Sequence, residues 1–428
     1  MKYRRQTLDN GLTIVTTPIK SANIVCVGFF VSAGSSDETS DIAGIAHLLE
    51  HMLFRGTTSR SSEKMLKTLD SMAADYNAAT THQYTYYYIC SEPKNIKTIL
   101  DIIMDMYVNP IFNRTKLEKE KKVVAEELKT TSDKLDYQMH TALYKQMFKR
   151  TSLAREITGT PQSIQNITRS DLVEFWDTYY QPHNTVFVVS GNFNPTPIVN
   201  MMTKILAPLE NHAHIKHKNL CNQITKNIDS QSEPFVKINV DKSRKQAYVA
   251  LSFCMGEDIL QYNTQISFLG KILSLGMDSR LSKALRGKRG LVYNVSAYQI
   301  VYDGCGVFII QYAVDTKELV NSITVVLKEL AKLKRQEITK DERLKVVTSI
   351  KLSSQEDATD PVSIMISNGL NVLYNPNADV VNDKDTTYLS KVTRKSIQEA
   401  AKQLFLRDKI NLFVNGNVTN TKFDFSAL

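Results

Sequence analysis

The chain has 428 residues, of which 42% are hydrophobic and 23% charged, with 16 glycines and 11 prolines. That composition belongs to a folded globular protein too long for one ordinary core, and it excludes a disordered or low-complexity chain. The net charge of +9, from 53 basic and 44 acidic residues, is spread over lysine-rich helix faces without an arginine patch interleaved with aromatics; it reads as a solvated surface, and no nucleic-acid partner is expected.

The N-terminal stretch Met1–Lys2–Tyr3–Arg4–Arg5 is basic, but Gln6 onward reads as strand, turn and strand around Asp9–Asn10–Gly11. No signal-peptide core follows, and no apolar run is long enough to cross a bilayer. A cytoplasmic location with no membrane partner is therefore expected. The five cysteines, Cys26, Cys90, Cys221, Cys254 and Cys305, are scattered and odd in number. They suit free thiols in a reducing compartment and offer no thiolate metal site. Cys26 and Cys90 sit in apolar strand-like runs and read as core.

After the apolar strand NIVCVGFFVSAG comes IAGIAHLLEHMLFRGT, whose apolar spacing and stop at Gly56 predict a helix. It carries His47, Glu50 and His51. Positions i and i+4 share a helix face, so both imidazoles can converge on one ion. Glu50 adjoins the second histidine and lies one turn from the first, so it can reach a metal-bound water without being a ligand. The spacing is that of the inverted zinc-peptidase motif H-x-x-E-H.

Catalytic zinc takes three protein ligands and keeps one position open. A helix over Arg114–Lys129, capped by Asn113, carries Glu120 and Glu127 two turns apart on one face. Val123 and Val124, between them, are expected to pack this face inward. Other expected elements are a helix over Asn95–Tyr107, strands in TYYYIC and NTVFVVSGNF and, later, a helix over Lys317–Leu333 with strands in GVFIIQYAV and KINLFVNGNV.

The polar stretch at residues 211–232 lacks a sustained apolar period and reads as a linker between domains at 1–210 and 233–428. Its His212, His214 and His217 have no carboxylate or cysteine spaced to complete a metal cluster. The two halves follow one plan of strands, an apolar strand and a helix ending near a glycine. Laying Gly56 on Gly276 sets His47, Glu50 and His51 opposite Ser267, Gly270 and Lys271. Only the first copy is therefore expected to hold metal. The fold class expected is α+β: two homologous domains, each a mixed sheet with helices packed on it.

With these residues in view, nearly the whole chain resembles the pitrilysin-type (inverzincin, M16) metallopeptidases, especially the branch of mitochondrial processing peptidase and its bacterial relatives. TLDNGLTIV resembles that family's first hairpin, and GIAHLLEHMLFRGT its zinc helix. The family's distal ligand lies about 76 residues after the second histidine, where Glu127 stands. The resemblance implies one Zn2+ per chain held by His47, His51 and Glu127, Glu50 as general base, and Glu120 as a supporting carboxylate.

Asn77–Ala78 resembles the edge strand (N-A-x-T) that binds peptide by strand addition, although His82–Gln83 stand near the point where the family usually has Arg-Glu. Phe54 resembles the aromatic wall beside the scissile bond, with core packing an equal alternative. GMDSRLSKALRGKRGLVYNVSAY resembles a second signature, in which Arg286 and Tyr293 would hold substrate and help stabilise the oxyanion. Relatives of this length form half of a clamshell. The resemblance thus implies a homodimer that encloses a peptide or unfolded polypeptide, with the arginine–tyrosine pair supplied by the facing subunit. Arginine-preferring processing enzymes place acids after the distal-ligand helix; here Tyr137 and Thr141 stand near those positions, with Asp133 and Asp136 close by. A zinc endopeptidase of general specificity is the expectation, and a non-catalytic core subunit of the same fold is the alternative.

Overall fold

A computed structural model describes residues 3–213, 215, 221–287, 289–357, 359–375, 386–419 and 421–428. His214 and His217 lie outside the described residues. The chain forms two compact units, each built on one mixed sheet.

The first sheet comprises β1 (Arg4–Thr7), β2 (Thr13–Pro18), β3 (Val25–Val31), β4 (Asp75–Thr80), β5 (Thr85–Ser91) and β6 (Thr185–Gly191), in the order β1-β2-β6-β3-β5-β4. The β1–β2 hairpin is the one expected around Asp9–Asn10–Gly11. β2 and β6 run parallel; the other pairings are antiparallel. β3 reads as an unbroken apolar run because it is buried on both faces. Val25, Val27, Phe29 and Val31 meet a core formed with the helices Ile45–Leu53 and Ile96–Val108. Cys26 and Phe30 point the other way, towards Met365 and Val372 of the helix Pro361–Tyr374.

The second sheet comprises β7 (Phe235–Val240), β8 (Gln246–Met255), β9 (Val295–Tyr302), β10 (Cys305–Asp315) and β11 (Asn411–Gly416), in the order β7-β11-β8-β10-β9. Apart from the extra β1, this is the first topology again, including the one parallel pair, β7 with β11. The helices Asn263–Ser274, Leu319–Arg335 and Arg394–Leu404 contribute to the core on one face. The helix Leu135–Met147 covers the other, packing Met139, Leu143 and Met147 against Ala250, Val307 and Phe413.

The expected α+β repeat is therefore present, but the compact units are not contiguous in sequence. The second unit takes in residues 131–154, and the first takes in 352–385. Each sheet has two apolar faces, and a helix from the other half of the chain covers one of them.

Two further expectations change. The polar 211–232 stretch contains a helix, Cys221–Ser230, anchored by buried Ile224. Cys26 and Cys90, read as free core thiols, are joined in a disulfide; they stand directly opposite on β3 and β5, with Cα atoms 4.1 Å apart. Sixty-four residues of sequence separate them, which hid the pairing, and the bond removes both from the argument for a reducing compartment. Cys254 and Cys305 stay as thiols. No helix among the described residues is long and apolar enough to cross a membrane.

Candidate metal centre

The helix Ile45–Leu53 is short and apolar on most sides, so its placement rests on its two ends. At its start, the Glu38 carboxyl group accepts the backbone N–H groups of Gly44 (2.9 Å) and Ala46 (3.0 Å), satisfying donors that a helix N-terminus leaves open. Gly44 has φ +94°, and a Cβ there would stand 2.5 Å from Ile164 Cδ1 and 2.6 Å from the Thr158 carbonyl oxygen. Only glycine meets both demands. Arg155 clamps the same loop by donating to the carbonyls of Glu38 (2.8 Å) and Ser35 (3.3 Å).

Beyond the other end, the Arg55 guanidinium grips Glu120 through two contacts, Nε to Oε1 at 2.8 Å and Nη2 to Oε2 at 3.0 Å. Lys116 donates to the Arg55 carbonyl at 3.2 Å and to Ser62 Oγ at 2.6 Å. These contacts tie the histidine helix to the helix Arg114–Ser132, which presents the acids. Asn113 caps that helix as expected, accepting the Lys116 N–H at 3.1 Å. Val124 is buried, but Val123 is 48% exposed, contrary to the expectation that both pack inward. The inward stripe runs through Leu117, Glu120, Lys121, Val124 and Leu128, and Val123 falls about 100° from Val124 around the helix.

His47, His51 and Glu127 each present one ligand atom, all within 4.8 Å of one another. Glu127 Oε1 is 3.9 Å from His47 Nε2, and its Oε2 is 3.7 Å from His51 Nε2. These separations are too long for hydrogen bonds. They approach the roughly 3.3 Å between ligand atoms that tetrahedral zinc with bonds of about 2.0–2.1 Å requires. His51 Nδ1 lies 3.3 Å from Glu120 Oε2; the carboxylate can only accept, so this nitrogen carries the proton and Nε2 keeps its lone pair for a metal. Two imidazoles and a carboxylate are a donor set that zinc takes. Among the described residues no other group of three His, Cys, Asp or Glu converges in this way, and His212 joins none.

Burial and the neighbouring His51 push the His47 pKa down to about 4, so the ring is neutral and able to ligate near pH 7. Burial opposes charge on His51 too, but Glu120, Glu50 and Glu127 outweigh it and raise its pKa. Burial also raises Glu50, against the hydrogen bonding of Thr80 and the attraction of His51. For Glu120 the order of strength reverses: burial would raise it, yet His51 and Arg55 hold it below the ordinary carboxylate range.

β4 is the outer strand of its sheet, paired only with β5 among the described strands. Asn77 is exposed and Ala78 half-buried on it. Phe54 is half-buried, its ring 6.0 Å from that of Tyr76 and 6.2 Å from that of Tyr87. His82 is buried, with Nδ1 2.8 Å from Ser35 Oγ and its carbonyl accepting the Ser36 N–H, so it braces a loop.

In the second unit, Arg286 stacks on Tyr293, its guanidinium carbon 4.9 Å from the ring centre, and donates to the Tyr293 carbonyl at 3.1 Å. Tyr293 is 83% exposed. A tyrosine that large on the surface, held by an arginine, presents donors outward. Asp136 is occupied, accepting the Tyr248 hydroxyl at 2.5 Å, while Asp133 is exposed.

Comparison with known proteins decides the family. The model described as "Insulinase (Peptidase family M16)" matches residues 13–161, and "Peptidase M16 inactive domain" matches residues 166–349. The chain belongs to peptidase family M16. An uncharacterised zinc protease of Bacillus subtilis is 28% identical over 405 residues, 95% of this chain and 96% of that protein. A probable mitochondrial-processing peptidase subunit beta of Arabidopsis thaliana is 30% identical over 48% of this chain and 39% of its own. The crystal structure of a protease from Helicobacter pylori superposes with a TM-score of 0.85 at 20% identity, covering 97% of this chain and 99% of that one.

Among the described residues of this M16 chain's second unit no equivalent group converges, and the packing there differs. At Gly270, opposite Glu50 in the repeat, an added Cβ would lie 2.9 Å from the Ala297 carbonyl of β9. Ser274 Oγ accepts the Ala297 N–H at 3.0 Å, so the helix closes onto the strand where the first unit keeps Glu50. The H-x-x-E-H motif also left several working side chains unannounced: Glu38 and Arg155 at one end of the histidine helix and Arg55 at the other. Their signal lies in contacts between segments. Of these, Arg55 alone had a local one, being one turn beyond His51. Thr80 is the threonine of the N-A-x-T pattern, but that pattern does not disclose its bond to Glu50.

Proposed function

We propose that this chain is a zinc-dependent endopeptidase that hydrolyses internal bonds of peptides or unfolded polypeptide segments. The observation that carries this reading is the convergence of His47, His51 and Glu127 beside a Glu50 that is not part of the ligand set. Zinc held by those three residues would polarise the scissile carbonyl and lower the pKa of a bound water. Glu50 takes the water's proton and returns it to the departing amine. Glu120, fixed by Arg55, holds His51 in the ligating tautomer. The open edge of β4 at Asn77 and Ala78 pairs with the substrate backbone, Phe54 lines the neighbouring pocket, and side chains of the substrate alternate in direction.

Arg286 and Tyr293 supply donors to the substrate carbonyl as negative charge develops. They act from a second copy of the chain, so the working species is a homodimer enclosing its substrate. Because Asp136 is engaged by Tyr248, a special preference for arginine-bearing presequences is not part of the proposal.

A complementation experiment tests both chemistry and assembly. Glu50→Gln and Arg286→Ala variants should each cleave a quenched peptide at least about 100-fold more slowly than wild type. Mixed and re-equilibrated, they should regain activity, because one hybrid site then has both Glu50 and a facing Arg286. No recovery from folded, exchanging variants sinks the shared-site dimer; full activity of Glu50→Gln alone sinks the mechanism.

A further inference from the structure

Glu50 has a long, flexible side chain and stands beside His51, one residue away in sequence. His51 attracts it and Glu127 repels it. Nothing in the H-x-x-E-H spacing says why this carboxylate stays outside the ligand set. An acid placed so near two imidazoles is itself a competent metal ligand.

Thr80 supplies the restraint. Its Oγ1 donates to Glu50 Oε2 at 2.5 Å, and among the described residues it is the one side chain hydrogen bonded to Glu50. The Thr80 backbone also favours the charged carboxylate. Thr80 is the last residue of β4 and faces Thr85 across the strand pair. Thr85 gives its hydroxyl to the Ala33 carbonyl at 2.9 Å, an internal brace of the sheet, whereas the Thr80 hydroxyl is directed to Glu50.

We infer that Thr80 is a positioning residue that pins Glu50 to the substrate-binding edge strand, keeping it a base instead of a further metal ligand. The inference rests on the peptidase reading for its kinetic consequence but not for its structural one. It also joins two parts of the site: the strand proposed to pair with substrate is the strand that orients the base.

The test compares Thr80→Val, which keeps the shape and backbone but removes the hydroxyl, with Thr80→Ser, which restores it. In crystals of the metal-free protein, Glu50 should hold one orientation in wild type and Thr80→Ser but spread over several in Thr80→Val. On a quenched peptide with zinc-loaded protein, Thr80→Val should lose about 10- to 100-fold in kcat with little change in KM. Thr80→Ser should recover to within about threefold of wild type. Glu50 keeping its orientation in Thr80→Val, or Thr80→Val turning over at the wild-type rate, overturns the inference. If wild type itself shows no zinc-dependent cleavage, the peptidase reading falls separately, and the crystals still decide whether Thr80 places Glu50.

Discussion

Glu38 places a carboxyl where water does not reach it. Burial pushes its pKa up to about 8, against the backbone N–H groups of Gly44 and Ala46 and the charge of Arg155, while Asp37 raises it further. An acid whose folded pKa stands above the unfolded value of 4.5 binds more protons folded than unfolded between the two. Stability from this group is therefore present below about pH 4.5 and declines as pH rises towards about 8. Glu38→Gln carries no such proton. Denaturant unfolding of the metal-free proteins should show wild type losing at least about 1 kcal/mol relative to the variant between pH 5 and pH 8. Parallel pH profiles would contradict the assignment. Residues of this kind are what single-sequence reading misses. His47, Glu50 and His51 were legible because one helix turn relates them. Arg55 stands one turn beyond His51 and Thr80 closes the N-A-x-T pattern, but their partners Glu120 and Glu50, like the role of Glu38, lie across contacts between segments that no local period encodes.

At the scale of elements, the histidine helix and the helix Arg114–Ser132 were legible from apolar spacing, the stop at Gly56 and the Asn113 cap. The facing of Val123 was not, since two adjacent valines cannot both lie on one stripe of a helix and sequence alone does not choose between them. Nor was the exchange of helices, because Leu135–Met147 and Pro361–Tyr374 carry apolar faces that would suit either sheet. The seat of the histidine helix makes a sharp prediction. Gly44→Ala meets both a left-handed backbone and two sub-van der Waals contacts, so it should destabilise the fold by about 1–3 kcal/mol. Because the strain falls three residues before His47, zinc affinity measured by competition with a chelator should weaken as well. A Gly44→Ala variant with unchanged stability and zinc affinity would show that the helix start does not govern the centre.

For the whole molecule, duplication explains the shared strand order of the two sheets, and it was legible because each half repeats the progression from apolar strand to helix and glycine. Divergence explains why one such group converges among the described residues. The second copy has Ser267, Gly270 and Lys271 where the first has His47, Glu50 and His51, and its helix rests directly on β9. The disulfide between Cys26 and Cys90 escaped notice because scattered cysteines in strands show their pairing only once strand register is known. The account comes down to one metal per chain and one base beside it. Its most direct test is the zinc content and peptide turnover of Glu50→Gln measured on the same sample. The account predicts one zinc per chain, as in wild type, with turnover reduced at least about 100-fold. A fully zinc-loaded Glu50→Gln protein that cleaves at the wild-type rate, or a wild-type chain that binds no zinc, would contradict it.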